Sequence, residues 1–277
     1  MTITINGDDI DFTLENEKTI GDVLAELKRW LGGTGMLVGD IEIDNRKMTF
    51  DEKDLFEKPV KEVERLSIEA LSVRESKMRQ LETARDFFAL LRDAAEAGDG
   101  DMISKLETSY QDIIKILPQM LGEGPNSSII SGLGKTLEQE PQKLISSTTD
   151  MLAILDGRLK EVADPIGEAR SAAATLAELA GSLDDVAVSL QTGKDKQAMT
   201  AIAELCEILQ KFVRCLTWSS GAVRKNAIAD DMNKIFSELE KALIANDTVL
   251  IGDLLEYEFR PRLTELPNRM NSDVKPI

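Results

Sequence analysis

Histidine is absent from the 277 residues. That single absence removes the usual general base, the usual zinc ligand and the usual pH switch. Asp, Glu, Lys, Tyr and Cys remain for acid–base work, which is a smaller set. Cysteine is scarce as well: Cys206 and Cys215 stand nine residues apart in "CEILQKFVRC". In a helix nine residues turn the chain by ~900°, so the two thiols lie on opposite faces and cannot bridge. Their spacing also lacks the CxxC pattern of a metal pair, and the apolar context predicts buried thiols in a reducing compartment. Aromatic residues make up only 4%, which points to helices held by aliphatic seams and away from a β-sandwich. No apolar run approaches the ~18 residues of a membrane span. The opening "MTITINGDDIDF" has neither the basic n-region nor the apolar h-region of a signal peptide, so a cytoplasmic location is predicted.

Positive charge is in short supply: 33 Lys and Arg stand against 50 Asp and Glu, a net charge of −17. Such a surface repels phosphate backbones and anionic lipid, so neither a nucleic-acid partner nor a membrane partner is expected. Residues 1–72 carry 17 acids and 9 bases, and are more acidic per residue than the remainder. What is present is a hydrophobic content of 42% and a charged content of 30%, sufficient for a packed core. At roughly 150 residues per domain the length predicts two domains.

The front of the chain alternates. In "TITINGDDIDFTL" Ile3 and Ile5 share one face, Ile10, Phe12 and Leu14 form a second run, and Asn6-Gly7 between them suits a type I′ turn. Thr19 followed by Asp22 reads as a capping box opening "IGDVLAELKRWL". Ile20, Val23, Leu24, Leu27 and Leu31 recur at helical spacing, and Gly32-Gly33 is the expected stop. "MLVGDIEID" reads as a strand turned by Asp44-Asn45. "VERLSIEAL" reads as another, with Leu66, Ile68 and Ala70 on one side. The order β-β-α-β-β over residues 1–72 resembles the ubiquitin-like β-grasp superfold, in which one helix lies across a mixed sheet. That resemblance implies a docking module or a sulfur-carrier-like protein. Carriers of that fold end in an exposed Gly-Gly, whereas here the last strand runs on through "ALSVRESKMRQ".

From about residue 73 the apolar period changes from 2 to ~3.6. "MRQLETARDFFALLRDAAEA" and "MISKLETSYQDIIKILPQML" read as two helices separated by "GDGD", and "LEQEPQKLISSTTDMLAILDGRLKEVA" follows. After Asp164-Pro165, Leu176, Leu179, Leu183, Val186 and Leu190 are spaced 3, 4, 3, 4, a heptad seam of bundle or coiled-coil type. A weak repeat is visible in "LRDAAEAGDGDMISKLE", "AVSLQTGKDKQAMTAIAEL" and "KALIANDTVLIGDLLE". Each joins an apolar helix, a short Gly/Asn/Asp turn and a second apolar helix. The predicted fold class is therefore α+β: a small β-grasp-like domain at 1–72 and a larger all-α domain of antiparallel helical hairpins at 73–277.

Three motifs fail on inspection. Gly134-Lys135-Thr136 resembles the end of a phosphate-binding loop, but the required first glycine falls on Ile129. "GGTGMLVG" would need glycine at Val38 and follows a helix instead of a strand. "DGDMISKLETSY" places Ile103, Ser104 and Tyr110 where a calcium loop needs an oxygen ligand, a glycine and a glutamate. Two constellations remain. In "ANDTVLIGDLLEYEFRPRL", Asp253 and Glu256, Glu256 and Arg260, and Asp253 and Tyr257 are three or four residues apart, one side of a helix. In "FVRCLTWSSG", Trp218 stands near a helix end, beside Phe212 and Leu216.

Without catalytic motifs, the sequence predicts a non-enzymatic protein–protein interaction module, an adaptor or scaffold with a protein partner, a homodimer being one such assembly. Trp218, Asp253, Glu256, Tyr257 and Arg260 are the candidate contact residues. No catalytic residue, metal or cofactor is assigned. Two alternatives stand beside this reading. One is a carboxylate-based metal protein or enzyme in the helical region, for which the Glu-x-x-His pairs of di-metal bundles cannot be built. The other is a ubiquitin-like or sulfur-carrier-related protein.

Overall fold

The computed structural model describes residues 1–12, 17–48, 53–122, 133, 137, 140–192, 194–218 and 223–272. They form an α+β protein with a five-stranded mixed sheet at the front and helices after it. Two compact units divide the chain, Met1–Leu155 and Asp156–Ile277.

In the first unit the strands are β1 (Thr2–Ile5), β2 (Asp8–Asp9), β3 (Met36–Ile43), β4 (Arg46–Lys47) and β5 (Arg65–Ser72). Their order is β2-β1-β5-β3-β4, with β1 and β5 parallel and the other pairs antiparallel. Asn6 and Gly7, at φ 52° and 89°, turn β1 into β2. Asp44 and Asn45, at φ 50° and 67°, turn β3 into β4. Both pairs hold the left-handed conformation that Asn, Asp and Gly tolerate best. The sequence reading missed β4, which is two charged residues long, and expected β2 to run further than it does. Leu14 lies outside the described residues.

Helix α1 (Ile20–Gly33) opens on the expected capping box. The Asp22 amide donates to Thr19 Oγ1 at 3.2 Å, and the Thr19 amide donates back to Asp22 Oδ2 at 3.0 Å. All five apolar residues of its stripe are buried, against Ile3, Ile41, Ile43, Val63, Leu66, Ile68 and Ala70 of the sheet region. Gly32 and Gly33 belong to the last turn of α1, contrary to expectation. The left-handed residue is Gly35, at φ 77°. Short pieces α2 (Lys53–Phe56) and a 3-10 turn (Val60–Glu62) lead to β5. There Ser72 caps α3 (Val73–Ala97) in a second capping box with Glu75. The strand thus passes into a helix with no free end. Helix α4 (Gly100–Leu121) folds back on α3 around the buried Leu81, Phe88, Leu91, Tyr110 and Leu117. The Gly134-Lys135-Thr136 segment lies outside the described residues. Helix α5 (Pro141–Ala163) begins on proline and contains the boundary between the two units.

The second unit continues with α6 (Pro165–Ala180), α7 (Leu183–Gln191), α8 (Asp195–Trp218), α9 (Val223–Ile244), α10 (Thr248–Asp253), a π-helical turn (Leu254–Phe259) and α11 (Arg260–Ser272). The predicted heptad seam is split. Helix α6 ends at Ala180 and α7 begins at Leu183, so Leu183, Val186 and Leu190 belong to a different helix from Leu176, and Leu179 is only half-buried. Helix α6 buries a face of small residues, Ala169, Ala172, Ala173 and Ala180 with Leu176, which lets α8 and α11 pack on it. Helix α8 packs against α6, α7 and α9, so it is covered on more than one side. This explains how thiols on opposite faces both reach the core: Cys215 is buried within it and Cys206 is half-buried against it. Burial raises them to about 12 and about 11, which makes them poor nucleophiles. Glu161 of α5 is 3% exposed and is held between two cations. Arg158 Nη1 lies at 2.8 Å, and Arg214 of α8 donates through Nε at 3.0 Å and Nη2 at 3.1 Å.

Candidate functional site

The repeated helix–turn–helix pattern seen in the sequence is a repeated turn geometry. Between α3 and α4, Asp99 N donates to Ala94 O at 2.9 Å, Gly98 N to Ala95 O at 3.2 Å, Met102 N to the Asp99 carboxylate at 3.0 Å and Ile103 N to Asp99 O at 3.1 Å. Between α9 and α10 the same four bonds recur. Asp247 N reaches Ala242 O at 3.0 Å, Asn246 N reaches Leu243 O at 3.1 Å, Leu250 N reaches the Asp247 carboxylate at 3.0 Å and Ile251 N reaches Asp247 O at 2.9 Å. A left-handed residue, Gly98 or Asn246, closes one helix, and the aspartate after it caps the next. Between α7 and α8, Lys194 N donates to Ser189 O at 2.9 Å and Ala198 N to Lys194 O at 3.2 Å, so the backbone device is present without the side-chain cap.

Because the geometry is shared, equivalent positions can be compared. The residue two before the left-handed position is exposed Glu96 at the first turn and exposed Ile244 at the last. Two residues after the capping position stand Asp101, Lys196 and Val249, all exposed. Two of the three turns therefore place charge where the third places a branched aliphatic side chain. Among the described residues, Ile244 (79% exposed), Val249 (67%), Tyr257 (64%) and Val188 (56%) are the four most exposed large hydrophobics. Three lie within the α9–α10–π stretch, and Val188 lies on α7, which packs against α10 and the π turn.

The π turn has a local cause. Ile251, Leu255, Phe259 and Leu263 are all buried and are spaced four apart. At 3.6 residues per turn such a row drifts by about 40° per step, and a widened turn realigns it. Pro261 also supplies no N–H to the Tyr257 carbonyl, and Arg260 N donates instead to Leu255 O, five residues back. Widening changes the register of the candidate residues. Arg260 does not pair with Glu256, as α-helical spacing suggested. Its Nη1 donates to Asp184 Oδ2 of α7 at 2.5 Å, while Asp184 Oδ1 has no hydrogen-bond partner among the described residues. The neighbouring Glu256 carboxylate raises the Tyr257 pKa, with Asp253 and Asp184 adding to the effect. Asp253, Glu256, Tyr257 and Arg260 thus share a neighbourhood with Asp184, a residue the sequence reading did not single out. Its link to Arg260 spans 76 positions, beyond any local pattern. Trp218 is the last residue of α8 and is half-buried, so the exposed aromatic on this surface is Tyr257.

Among the described residues no group of three or more Asp, Glu or Cys side chains is placed to hold a metal ion. The carboxylates with resolved shifts, Asp22, Asp44, Glu69 and Glu75, are all moved downward. Backbone donors act first at Asp22, Asp44 and Glu75, and Arg79 acts first at Glu69. None of these four is shifted toward the neutral range that general acid catalysis uses. Among the described residues no helix is long and apolar enough to cross a membrane.

The fold and this surface define an α+β protein whose sheet region is a distinct N-terminal domain. Residues 1–72 match the family described as the TP0873 N-terminal domain, and residues 168–269 match a domain of unknown function, DUF8042. The second match covers α7, α10, the π turn and nearly all of α11. No curated protein and no solved structure matches the chain.

Proposed function

We propose that the chain is a non-enzymatic protein-interaction module, an adaptor or scaffold. Its contact surface is formed by α7, α10 and the π turn. One observation carries this reading: the most exposed large apolar side chains gather where the same turn elsewhere carries charge. Contiguous exposed apolar surface is costly in water and marks contact sites, and an exposed tyrosine is a favoured anchor. Asp253, Glu256 and Arg260 form its polar rim. The 1–72 domain is read as a second docking element of the ubiquitin-like β-grasp type. Its support is the mixed sheet order β2-β1-β5-β3-β4, the central parallel pair and the single helix packed on the sheet. The passage of β5 into α3 through the Ser72 cap counts against carrier chemistry at a free C-terminus.

The test is site-specific photocross-linking in the source cell. A photoreactive residue replaces Val249 in the full chain, and an otherwise identical chain carries it at Asp101. A discrete adduct from position 249 and none from 101 supports the reading. Equal labelling at both sites, or at neither, removes it. Stoichiometric iron or manganese in the purified chain, or a turnover lost in Asp253→Asn, would overturn it in favour of an enzyme.

A further inference from the structure

The α7–α10–π surface is apolar at its centre and acidic around it. Ile244, Val249, Leu250 and Tyr257 are exposed on one stretch of chain, and Val188 is exposed on the helix packed beside it. Asp253 and Glu256 stand within four residues of Tyr257 on the same stretch, and Asp184 of α7 is brought to that stretch by its bond to Arg260. The described cation among them, Arg260, is already engaged by Asp184. Resting on the proposed function above, we infer that the occupant is a cationic amphipathic helix of another protein: a segment with an aliphatic stripe and flanking Lys or Arg side chains.

Charge complementarity selects this occupant. A helix laid along α10 and the π turn meets exposed Val249 and Tyr257, eight residues apart, with its stripe. Its cations meet Asp253 and Glu256, neither of which has an ion pair among the described residues. A second copy of this chain fits poorly, because it would bring the same carboxylates, and a net −17, against themselves. Anionic partners are disfavoured on the same ground.

The probe is an 18-residue Leu/Lys peptide with leucine on one helical face, compared with its Leu/Glu counterpart, each titrated into the full chain by calorimetry. The Leu/Lys peptide binds with an affinity that falls as salt rises, and the Leu/Glu peptide does not bind. The decisive variant is Ile244→Glu/Val249→Asp. It adds two negative charges, so a merely electrostatic attraction would strengthen, whereas loss of the apolar centre weakens binding by ~10-fold or more. Tyr257→Ala weakens it in the same sense at unchanged charge. Unchanged or tighter binding by the double variant overturns the inference. So does a concentration-dependent dimer in sedimentation that the double variant abolishes, since the occupant is then a second copy. If the peptide fails while Val249 still cross-links to a partner in cells, the occupant is wrongly assigned and the interaction module stands. If both fail, the module falls as well.

Discussion

The α3–α4 turn and the α9–α10 turn are the same backbone device. Four hydrogen bonds coincide, a left-handed residue precedes an aspartate cap in both, and Ala94 and Ala242 are buried beneath them. Leu91 and Leu239 also occupy equivalent buried positions. At two exposed positions the turns differ in kind: Glu96 and Asp101 stand at one, Ile244 and Val249 at the other, while beneath them Ala95 is exchanged for Leu243. Geometry common to both cannot require the aliphatic residues, because the first turn is built without them. Exposed branched side chains gain nothing from burial, and the proposed contact surface rests on their presence at one turn and not at the other. The comparison separates what the backbone demands from what the surface is for.

If the hairpins are equivalent beneath the turn, they should respond alike to core damage. Leu91→Ala and Leu239→Ala are each expected to cost about 2–5 kcal/mol, measured by urea denaturation. Trp30 reports on the first unit and Trp218 on the second, and they are the two tryptophans of the chain. A loss confined to one of the two hairpins would break the equivalence.

The capping aspartates come next in size. Asp99→Ala and Asp247→Ala each remove an acceptor for an amide three residues on, and each should cost about 1 kcal/mol. Gly98→Ala should add strain of similar size at its φ of 68°. Asn246→Gly should be close to neutral, since glycine accepts the same conformation.

Acid acts more weakly at each group, because the carboxylates concerned are exposed. Glu75 is lowered by the Ser72 amide that it caps, and Glu69 by Arg79, which holds it at 2.6 Å and 2.7 Å. A lowered folded pKa means that the contribution is fully present above the ordinary carboxylate value near ~4.3. It is then lost as pH falls through the lowered value. The start of α3 should therefore loosen below about pH 4, as a drop in amide-exchange protection at residues 72–76. Unchanged protection down to pH 2 would show that these bonds do not hold the helix end.

Local signals made much of this fold legible. Asn6-Gly7, the Thr19/Asp22 box, the α1 stripe and the Gly98–Asp99 and Asn246–Asp247 turns each involve residues within a few positions of one another, where chemistry and geometry are tightly coupled. Errors arose where the deciding contact was distant or the helix was not α. The heptad run could not reveal that Gly181 and Ser182 separate two helices. Pairing of Arg260 with Asp184, and the burial of Glu161 between Arg158 and Arg214, depend on tertiary packing. The π turn was hidden because its cause combines a four-residue apolar spacing with Pro261. Four of the five candidate residues nonetheless fall within one neighbourhood, since they were chosen by proximity along a helix.

The smallest expected change in stability is the most informative. Ile244→Glu/Val249→Asp gives the α9–α10 turn the side chains of the α3–α4 turn. Both positions are exposed, so the change in unfolding free energy should stay within about 0.5 kcal/mol. Asp at 249 sits in the first turn of α10 and favours the helix dipole, while Glu at 244 ends α9 and opposes it, so the two electrostatic effects offset. Binding of a hydrophobic dye to the native chain should fall with the same variant. The reverse exchange, Glu96→Ile/Asp101→Val, loses the Arg92–Glu96 pair at 3.7 Å, a contact worth only a few tenths of a kcal/mol on a helix surface. It should raise dye binding at the first turn without creating affinity for the Leu/Lys peptide, because no counterpart of Tyr257 stands beside it: position 109, its equivalent about two turns past Asp101 along α4, is a serine. A loss above about 2 kcal/mol in the forward exchange would mean that Ile244 and Val249 pack within the fold after all. The contrast between the turns would then be a matter of stability, and the case for a contact surface there would fail.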